Sequence, residues 1–478
     1  MSPTLIIAGA EWRQWRRSRL VITVVALFAI ILTSVSLLTA LRMQAEAYER
    51  AHHQAESEQT FLSQPDRHPH RMIHYGHYIF RTPMPLSLFD PGLDAVTGKV
   101  MFLEGHRQNS ATFSESAASA DLGGMSALTP AMIYQILAPL LIILLGHSAI
   151  IREREARTLV PLLSQGVSGR TLFMGKFLAL FLFVLLLLAP LTVSALISIA
   201  NGASSLAAAS LVMVYLLYLS VWACLTLLMS LTFEKRSTVV AALATLWLVL
   251  TLVLPAVAVD MASRALPVAG KIETELTMIA EVQELGDGHD VDDSVYSDVQ
   301  SSLLAEQGVD RLEDLDVNIR GVLAQFAEKK LTETLNVYAK RRMEAESSQA
   351  KFLASQGWLS PALAVAVASR TVSGTDLEHY HRFLREAEEL RFEFVSGLNQ
   401  VHAEQLSYVD DINRNRDEES FNRTRMDAAN WQLLDEFHFE PANSLVRLAN
   451  ASSSIAMLLS WLMFLFVLLF WISGRLKP

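Results

Sequence analysis

Six long apolar runs divide the chain into segments of membrane length and polar regions. The first run, LVITVVALFAIILTSVSLLTAL, is followed by five others; the six cover residues 20–41, 131–151, 177–200, 206–232, 238–259 and 455–472. Each has about the 20 residues that a helix needs to cross the hydrocarbon core of a bilayer. The pattern therefore predicts an α-helical polytopic membrane protein with six transmembrane helices. The alternative, long buried helices in a large soluble protein, requires six unusually long uncharged runs in one chain.

The two large polar regions differ in character. Residues 42–130 are rich in proline, glycine and aromatic residues and contain short β-like pieces such as KVMFLE, which predicts a mixed loop or domain. Residues 260–454 show apolar positions three and four apart, which predicts a mostly helical domain. The apolar stretch 358–374 is too short to span, so we expect it in the core of this domain or on the membrane surface. Thr375 and Glu378 match a capping box.

Composition and charge indicate how the spans are oriented. The 478 residues are 51% hydrophobic and 18% charged, with a mean hydropathy of +0.30, which excludes an ordinary soluble enzyme. The ends and short loops hold 13 lysines and arginines against four acidic residues, whereas 260–454 holds 19 against 35. By the positive-inside rule, residues 1–19 and the tail 473–478 are cytoplasmic and both large regions lie outside. The net charge of −10 gives no reason to expect a nucleic-acid partner.

The compartment and the first span follow from two further features. Cys224 is the only cysteine, and it lies in the fourth apolar run, so the outer regions contain no disulfide. We therefore expect a bacterial inner membrane, with the large regions in the periplasm. The run 20–41 is about twice as long as the apolar part of a signal peptide, so we expect an uncleaved first span. Ahead of it, Trp12, Trp15 and Arg16 predict an interfacial amphipathic helix within residues 1–19.

A search for catalytic or ligand-binding motifs finds little. The chain has no GxxxxGK[ST] motif, so we expect it to bind no cofactor directly and not to be an enzyme by itself. Seven of its 13 histidines lie between residues 52 and 106, and His70, His74 and His77 are candidate metal ligands. The preferred interpretation is that these histidines are surface or packing residues.

Residues 152–176, which we call the charged segment, interrupt the apolar pattern. Glu153 and Arg157 are spaced to pair on one helix face, the leucines of LVPLL form an apolar edge, and Ser168 follows as a helix cap. The pattern alone leaves two readings open. The segment is either a lever pressed by a cytoplasmic partner or a solvated turn whose arginines only set the topology.

The sequence EREARTLVPLLSQGVSGRTLFMGKFLAL resembles the segment after the second span of ABC type-2 exporter permeases. The matching positions are Glu153, Glu155, Thr158, Leu159, Leu162, Leu163, Ser168, Gly175 and Lys176. Arg157 stands where the family usually has glycine, which leaves the geometry of the bend open. The resemblance implies that the charged segment is the coupling segment that docks on a separate ATPase subunit. HYGHYIFRTPMPLSLFDPGLDAVTGKVMFLEGHRQN and SGTDLEHYHRFLREAEELR are similar to a subgroup with large, poorly characterised periplasmic regions.

The resemblance carries expectations about partners. It implies a permease subunit in the lipid bilayer that pairs with an identical or related permease and with two ATPase subunits, which bind ATP and Mg²⁺. Together they would export an unidentified substrate. The alternative is a mechanotransmitting subunit that remodels a periplasmic partner, or supports cofactor or metal assembly, without moving cargo.

Overall fold

The computed structural model describes residues 2–109, 111, 128–285, 294–427, 429–430 and 439–476. Parts of the predicted regions 42–130 and 260–454 and of the tail 473–478 lie outside the described residues. In chain order the longer helices are α1 (Pro3–Arg17), α2 (Leu20–Leu62), α3 (Pro69–Ile73), α4 (Pro130–Glu155), α5 (Leu159–Ser164), α6 (Gly169–Ala200), α7 (Ser205–Thr232), α8 (Arg236–Ala265), α9 (Lys271–Gln283), α10 (Ser297–Gln307), α11 (Ile319–Ser355), α12 (Pro361–Ser373), α13 (Leu377–Gln405), α14 (Tyr408–Asn413), α15 (Glu418–Arg423) and α16 (Ser444–Ser473). The two strands are β1 (His77–Phe80) and β2 (Val100–Leu103).

Six of these helices, α2, α4, α6, α7, α8 and α16, are long and apolar enough to cross a membrane. They confirm the prediction of an α-helical polytopic membrane protein with six spans. The helices overrun the apolar runs, however: α2 continues to Leu62 rather than ending near residue 41, and α16 begins at Ser444 rather than at residue 455. Residues 42–62 contain no glycine or proline, so nothing breaks the helix where the apolar residues stop.

Two prolines shape the spans. Pro139 follows a π-turn at Ile133–Leu137 in α4, and Pro255 follows another at Val249–Val253 in α8. A proline has no N–H to donate to the carbonyl one turn earlier, and its ring clashes with that carbonyl. The wider π-turn gives the ring room. Side chains bind the freed carbonyls. Tyr218 donates to the carbonyl of Gln135 at 2.6 Å, and Ser360 donates to that of Leu250 at 2.5 Å.

A chain of hydrogen bonds crosses the end of the bundle opposite the charged segment. The Gln135 amide donates to the Tyr215 hydroxyl at 2.9 Å, which lies 3.1 Å from Ser369 Oγ, and Ser369 donates to Asp90 Oδ2 at 2.5 Å. Asp90 is buried, and burial raises the pKa of its carboxyl. The chain therefore joins two spans, α4 and α7, to α12 and to the polar region after the first span.

Helix α12 is buried against α7 and α16, with Ala364, Val365 and Ala368 in the same apolar core as the spans. The apolar stretch 358–374 therefore extends the core of the bundle. Gly374 ends α12 with φ +73°, and the next helix is capped by Asp376, which accepts the His379 N–H at 3.2 Å. The predicted capping box at Thr375 is wrong, because the Thr375 hydroxyl donates to the carbonyl of Asp90 instead.

Described residues 43–109, 271–355 and 377–430 form what we call the extramembrane domain. The antiparallel pair β1–β2 runs in the register His77↔Leu103 to Phe80↔Val100. The buried side chains of the strands, Ile79, Met101 and Leu103, pack on Phe383 of α13. Phe61 at the end of α2 and Met72 and Ile73 of α3 pack on Phe394 of the same helix. The first polar region is thus built onto the second, and the two do not form separate domains.

An arginine ties the centre of this domain together. The fully buried Arg391 of α13 donates to Glu328 of α11 at 2.6 Å and to Glu388 at 2.7 Å. Burial alone raises the pKa of Glu328, but its bonds to His106 and Arg391 outweigh burial and lower it to about 2. A buried charge is tolerated only when it is paired in this way. These ion pairs therefore fix the positions of α11, α13 and the segment just after β2 relative to one another.

The hydrogen-bond chain predicts a specific loss of stability. Replacing Ser369 with alanine removes one buried hydrogen bond from Asp90 and one from Tyr215, which costs about 1–3 kcal/mol. We expect Ser369→Ala to lower the melting temperature of the detergent-purified protein. Ser373→Ala is the matched control on the same helix, since the buried Ser373 hydroxyl has no hydrogen-bond partner among the described residues. A loss for Ser373→Ala as large as that for Ser369→Ala would contradict the role assigned to the chain.

Candidate functional site

The charged segment folds into a short helix between two left-handed residues. Helix α4 ends at Glu155, Arg157 has φ +56°, α5 spans Leu159–Ser164, and Gly166 has φ +89°. Ser168 then accepts the Thr171 N–H at 3.1 Å and caps α6, as the sequence predicted. The left-handed residues turn the chain sharply on both sides of α5, so this helix projects from the end of the bundle.

Lys176 is the centre of a buried ion cluster. It is only 2% exposed, and its Nζ lies 2.5 Å from Glu11 Oε1 and 2.8 Å from Glu153 Oε1. Arg152 contacts the same Glu11 oxygen at 2.6 Å. Two carboxylates therefore face two cations, which is the condition under which such a cluster can be buried. The cluster ties α1, α4 and α6 to one another.

Glu153 also fixes the start of α5. Its second carboxylate oxygen accepts the Thr158 hydroxyl at 2.6 Å, while its first remains bound to Lys176. Glu153 thus holds the turn that contains Arg157 against the first turns of α6. Glu153, Thr158 and Lys176, which the sequence singled out separately, form one connected set.

Gly175 allows α1 to lie against α6. A β-carbon at residue 175 would lie 2.6 Å from the Cβ of Ile7 and 3.1 Å from the carbonyl oxygen of Thr4, both on α1. One turn further on, Trp12 donates its indole N–H to the carbonyl of Ala179 at 3.2 Å. Glycine is therefore required for the close approach that brings Glu11 to Lys176.

The other side of the segment is fastened to the link between α7 and α8. Arg154 donates to the carbonyl of Phe233 at 3.0 Å, and Glu155 accepts the Arg236 N–H at 3.1 Å and pairs with its guanidinium at 3.1 Å. Where α4 is interrupted, the N–H groups of Ile150 and Ile151 both donate to Ser230 Oγ. The charged segment is thus bound to four spans, α4, α6, α7 and α8, and to α1.

Helix α5 has a buried face and an exposed face. Leu159 and Leu163 pack on Leu172, and Leu162 is half-buried. The apolar edge predicted from the leucines is therefore turned mainly into the protein. The exposed face is formed by Val160, Pro161, Ser164, Gln165 and Gly166.

Comparison with known families decides the class of the protein. A family model described as "ABC-2 family transporter protein" matches residues 5–286, more than half of the chain. The chain belongs to this family. A second model, described as a domain of unknown function (DUF3526), matches residues 275–440, most of the helical part of the extramembrane domain. No curated protein matches the chain. The matched range of the ABC-2 model includes α1 and the whole charged segment, so the resemblance noted from the sequence is confirmed.

Glu11 is a member of the ion cluster of this ABC-2 permease that the sequence analysis did not single out. There it is only one of the four acidic residues in the ends and short loops. The available signal was its isolation, since it is the only acidic residue before Glu46. An acidic residue on an otherwise basic, membrane-adjacent helix needs a partner when buried.

The N-terminal helix of the permease packs one face on the bundle. Trp15 lies on this face: it is 4% exposed, and its ring packs edge-on against Phe183 at 6.3 Å between centroids. Trp12 is partly buried, and Arg16 is exposed. Helix α1 is therefore a packing element of the bundle with one basic, solvent-facing side.

The structure brings together two of the three candidate metal ligands. His70 and His74 lie 3.1 Å apart between their Nε2 atoms. His77 does not join them, because as the first residue of β1 it points inward against Phe61, where burial lowers the pKa of its imidazole to about 4. His106 lies in its place beside His70 and His74.

The buried ion cluster predicts a large effect at Lys176. Lys176→Met leaves Glu11 and Glu153 buried with one cation fewer, a loss of about 3–5 kcal/mol. We expect α1 to detach, so that trypsin cleaves after Arg13, Arg16 and Arg17 much faster than in the unaltered protein. The matched control is Arg236→Met, which removes a half-exposed ion pair with Glu155 at a cost of about 0–1 kcal/mol. Equal protease resistance in both variants would show that the cluster does not hold α1.

The left-handed backbone of Arg157 predicts opposite effects for two small residues. Glycine adopts this conformation without strain, whereas any residue with a β-carbon is disfavoured by roughly 1–2 kcal/mol. We therefore expect Arg157→Gly to melt at a higher temperature than Arg157→Ala in the same detergent. Comparing these two variants separates the effect of backbone strain from the effect of losing the charge, since both remove the guanidinium. Identical melting temperatures would mean that residue 157 is not left-handed in solution.

Proposed function

We propose that this ABC-2 permease is the membrane subunit of an ATP-driven exporter and that the exposed face of α5 docks on a separate ATPase subunit. The observation that carries the proposal is the fastening of the charged segment. Its buried ion pairs and hydrogen bonds reach α1, α4, α6 and the link between α7 and α8. A solvated turn that only set topology would need none of these buried contacts.

A path for movement leads from this site to the far end of the bundle. Helix α4 carries Glu153 at one end and Gln135, the first donor in the hydrogen-bond chain to Asp90, at the other. A partner that displaces α5 therefore shifts α4 and, through Tyr215 and Ser369, the extramembrane domain. ATP binding by two partner subunits, with Mg²⁺, would drive this rigid-body switch.

The proposed orientation places the charged segment and both ends of the chain in the cytoplasm, where ATP is available. The excess of lysine and arginine at this end supports it. The extramembrane domain would then lie in the periplasm of a bacterium, above the inner membrane. There it could contact a periplasmic partner.

Pairing with a second permease, identical or related, is part of the proposal. The most apolar window of α7 is 72% buried within the chain, whereas those of α2, α8 and α16 are each only 22% buried. The exposed sides of these three helices must therefore face lipid or a second permease.

A second candidate function is a mechanotransmitter that remodels a periplasmic protein, or supports cofactor or metal assembly, without moving cargo. The observation that favours it is the direct union of spans and domain, since α12 lies in the core of the bundle and is followed at once by α13. In addition, a cavity of about 760 Å³ lies in the extramembrane domain, between α2 and the β1–β2 hairpin. Transport in reconstituted vesicles distinguishes the two. The exporter depletes cargo from one side, while the mechanotransmitter shows only ATP-dependent changes in domain protease sensitivity.

Docking predicts that a charge on the exposed face of α5 uncouples the ATPase. We expect Val160→Asp to reduce co-purification with the co-expressed partner ATPase subunit by about tenfold or more, because a buried interface rejects an unpaired carboxylate. Membrane insertion and melting temperature should not change, since Val160 is 54% exposed.

The matched control is Val409→Asp. Val409 is a similarly exposed valine, at 43%, but lies on α14 in the extramembrane domain. It should leave co-purification unchanged. Undiminished ATPase binding by Val160→Asp would overturn the assignment of the docking face.

A further inference from the structure

Three histidines meet where α3 and the β1–β2 hairpin touch. His70 and His74 are four residues apart, so one helical turn places their rings together, with centroids 4.7 Å apart. The ring of His106, just after β2, lies 5.1 Å from that of His74 and 5.8 Å from that of His70. One ring nitrogen from each residue lies within 4.8 Å of the other two.

The backbone around His106 is shaped to present this ring. Gly105 donates its N–H to the carbonyl of Ile73 at 3.1 Å, and a β-carbon at residue 105 would collide with the Ile73 side chain. The absence of a side chain at Gly105 thus lets the hairpin end lie directly on α3. His106 itself has φ +62°, a left-handed conformation that turns its ring towards His70 and His74.

A carboxylate behind His106 sets its orientation. The Nδ1 of His106 lies 3.2 Å from Glu328 Oε2, and Glu328 is in turn held by Arg391. A histidine that donates one ring N–H to a carboxylate offers its other nitrogen as a ligand, the arrangement usually found behind histidines that bind metals. This carboxylate is supplied by α11, so the histidine group is anchored to both parts of the extramembrane domain.

We propose that His70, His74 and His106 bind a divalent late first-row metal ion, Zn²⁺ or Cu²⁺, and that the ion fastens α3 to the hairpin. Zinc–imidazole bonds of about 2.0–2.1 Å in tetrahedral geometry separate ligand nitrogens by roughly 3.3 Å. The 3.1 Å between the Nε2 atoms of His70 and His74 is close to that value. Three neutral imidazoles select such ions over Mg²⁺ and Ca²⁺, which prefer oxygen. The half-exposed position leaves a fourth ligand place open to water.

A neighbouring group with similar residues differs in one decisive respect. His68, His402 and Asp411 also lie close together, but all three are buried. The guanidinium of Arg414 lies 2.6 Å from Asp411 and 2.7 Å from His68 Nε2. A cation of the protein itself already neutralises this carboxylate, so we assign the metal to His70, His74 and His106.

The test uses the full-length protein in detergent, stripped with a chelator and dialysed against Zn²⁺ or Cu²⁺ alone. We expect one equivalent of metal per chain by elemental analysis and a rise in melting temperature of several degrees. His74→Ala and His106→Ala should each weaken binding about 100-fold or more. Because His74 is exposed, its replacement removes a ligand without disturbing the core. Bound Co²⁺ should show the strong visible absorption of a tetrahedral site.

The matched control is the double variant His52→Ala, His53→Ala, which removes two exposed histidines from the same polar region. It should bind one equivalent as tightly as the unaltered protein. Three results would overturn the proposal: no binding of either metal at micromolar concentration, undiminished binding by His74→Ala and His106→Ala, or equal loss in the control. Unchanged melting of metal-free His74→Ala would show that its loss of binding reflects the missing ligand and not misfolding.

Discussion

The buried ammonium of Lys176 is the constraint on which one end of this protein depends. Removing an ammonium and two carboxylates from water costs several kcal/mol per ion, and only close pairing offsets it. The partners come from different helices, Glu11 from α1 and Glu153 from α4. None of the three helices can separate from the others without exposing or unpairing a charge. The same contact explains why residue 175 is glycine: α1 must approach α6 closely enough for Glu11 to reach the lysine.

The end of the bundle opposite Lys176 is held by hydrogen bonds. They involve backbone carbonyls near Pro139 and Pro255 and the carboxyl of Asp90. Carbonyls that Pro139 and Pro255 leave without helical donors are bound by hydroxyls of other helices, Tyr218 and Ser360. In an apolar bundle an unbound carbonyl is costly, so each proline specifies a partner helix. Tyr218 and Ser360 thus satisfy the backbone, and Ser369 satisfies the buried carboxyl of Asp90.

The sequence predicted features that depend on the local properties of one segment, such as the spans. It did not predict contacts between residues that are distant in the chain. Apolar runs located all six spans, since span length and hydropathy belong to single segments. They did not indicate that α2 continues beyond the span to Leu62, because hydropathy marks the membrane and not the helix. The charged segment was found from its motif, but Glu11 was not, as it lies 165 residues from its partner Lys176. Similarly, the sequence did not show that His77 points into the protein from β1. Nor did it show that His106 lies beside His70 and His74, because this contact depends on the tertiary fold.

Helix α4 connects the two fastened ends and is irregular at two points. Between the π-turn that ends at Leu137 and the interruption after Gly146, residues Ala138–Gly146 form a regular, nearly buried helix. At the interruption, Ser230 of α7 replaces the helical carbonyls as the acceptor for two N–H groups. Under the proposed docking, a push on α5 would move this piece together with α7, since a change at the interruption would leave those N–H groups unbound. Because α7 also carries Tyr215, the displacement reaches Ser369 and Asp90 through two helices at once. This double connection favours a concerted shift of the extramembrane domain over independent motion of single spans.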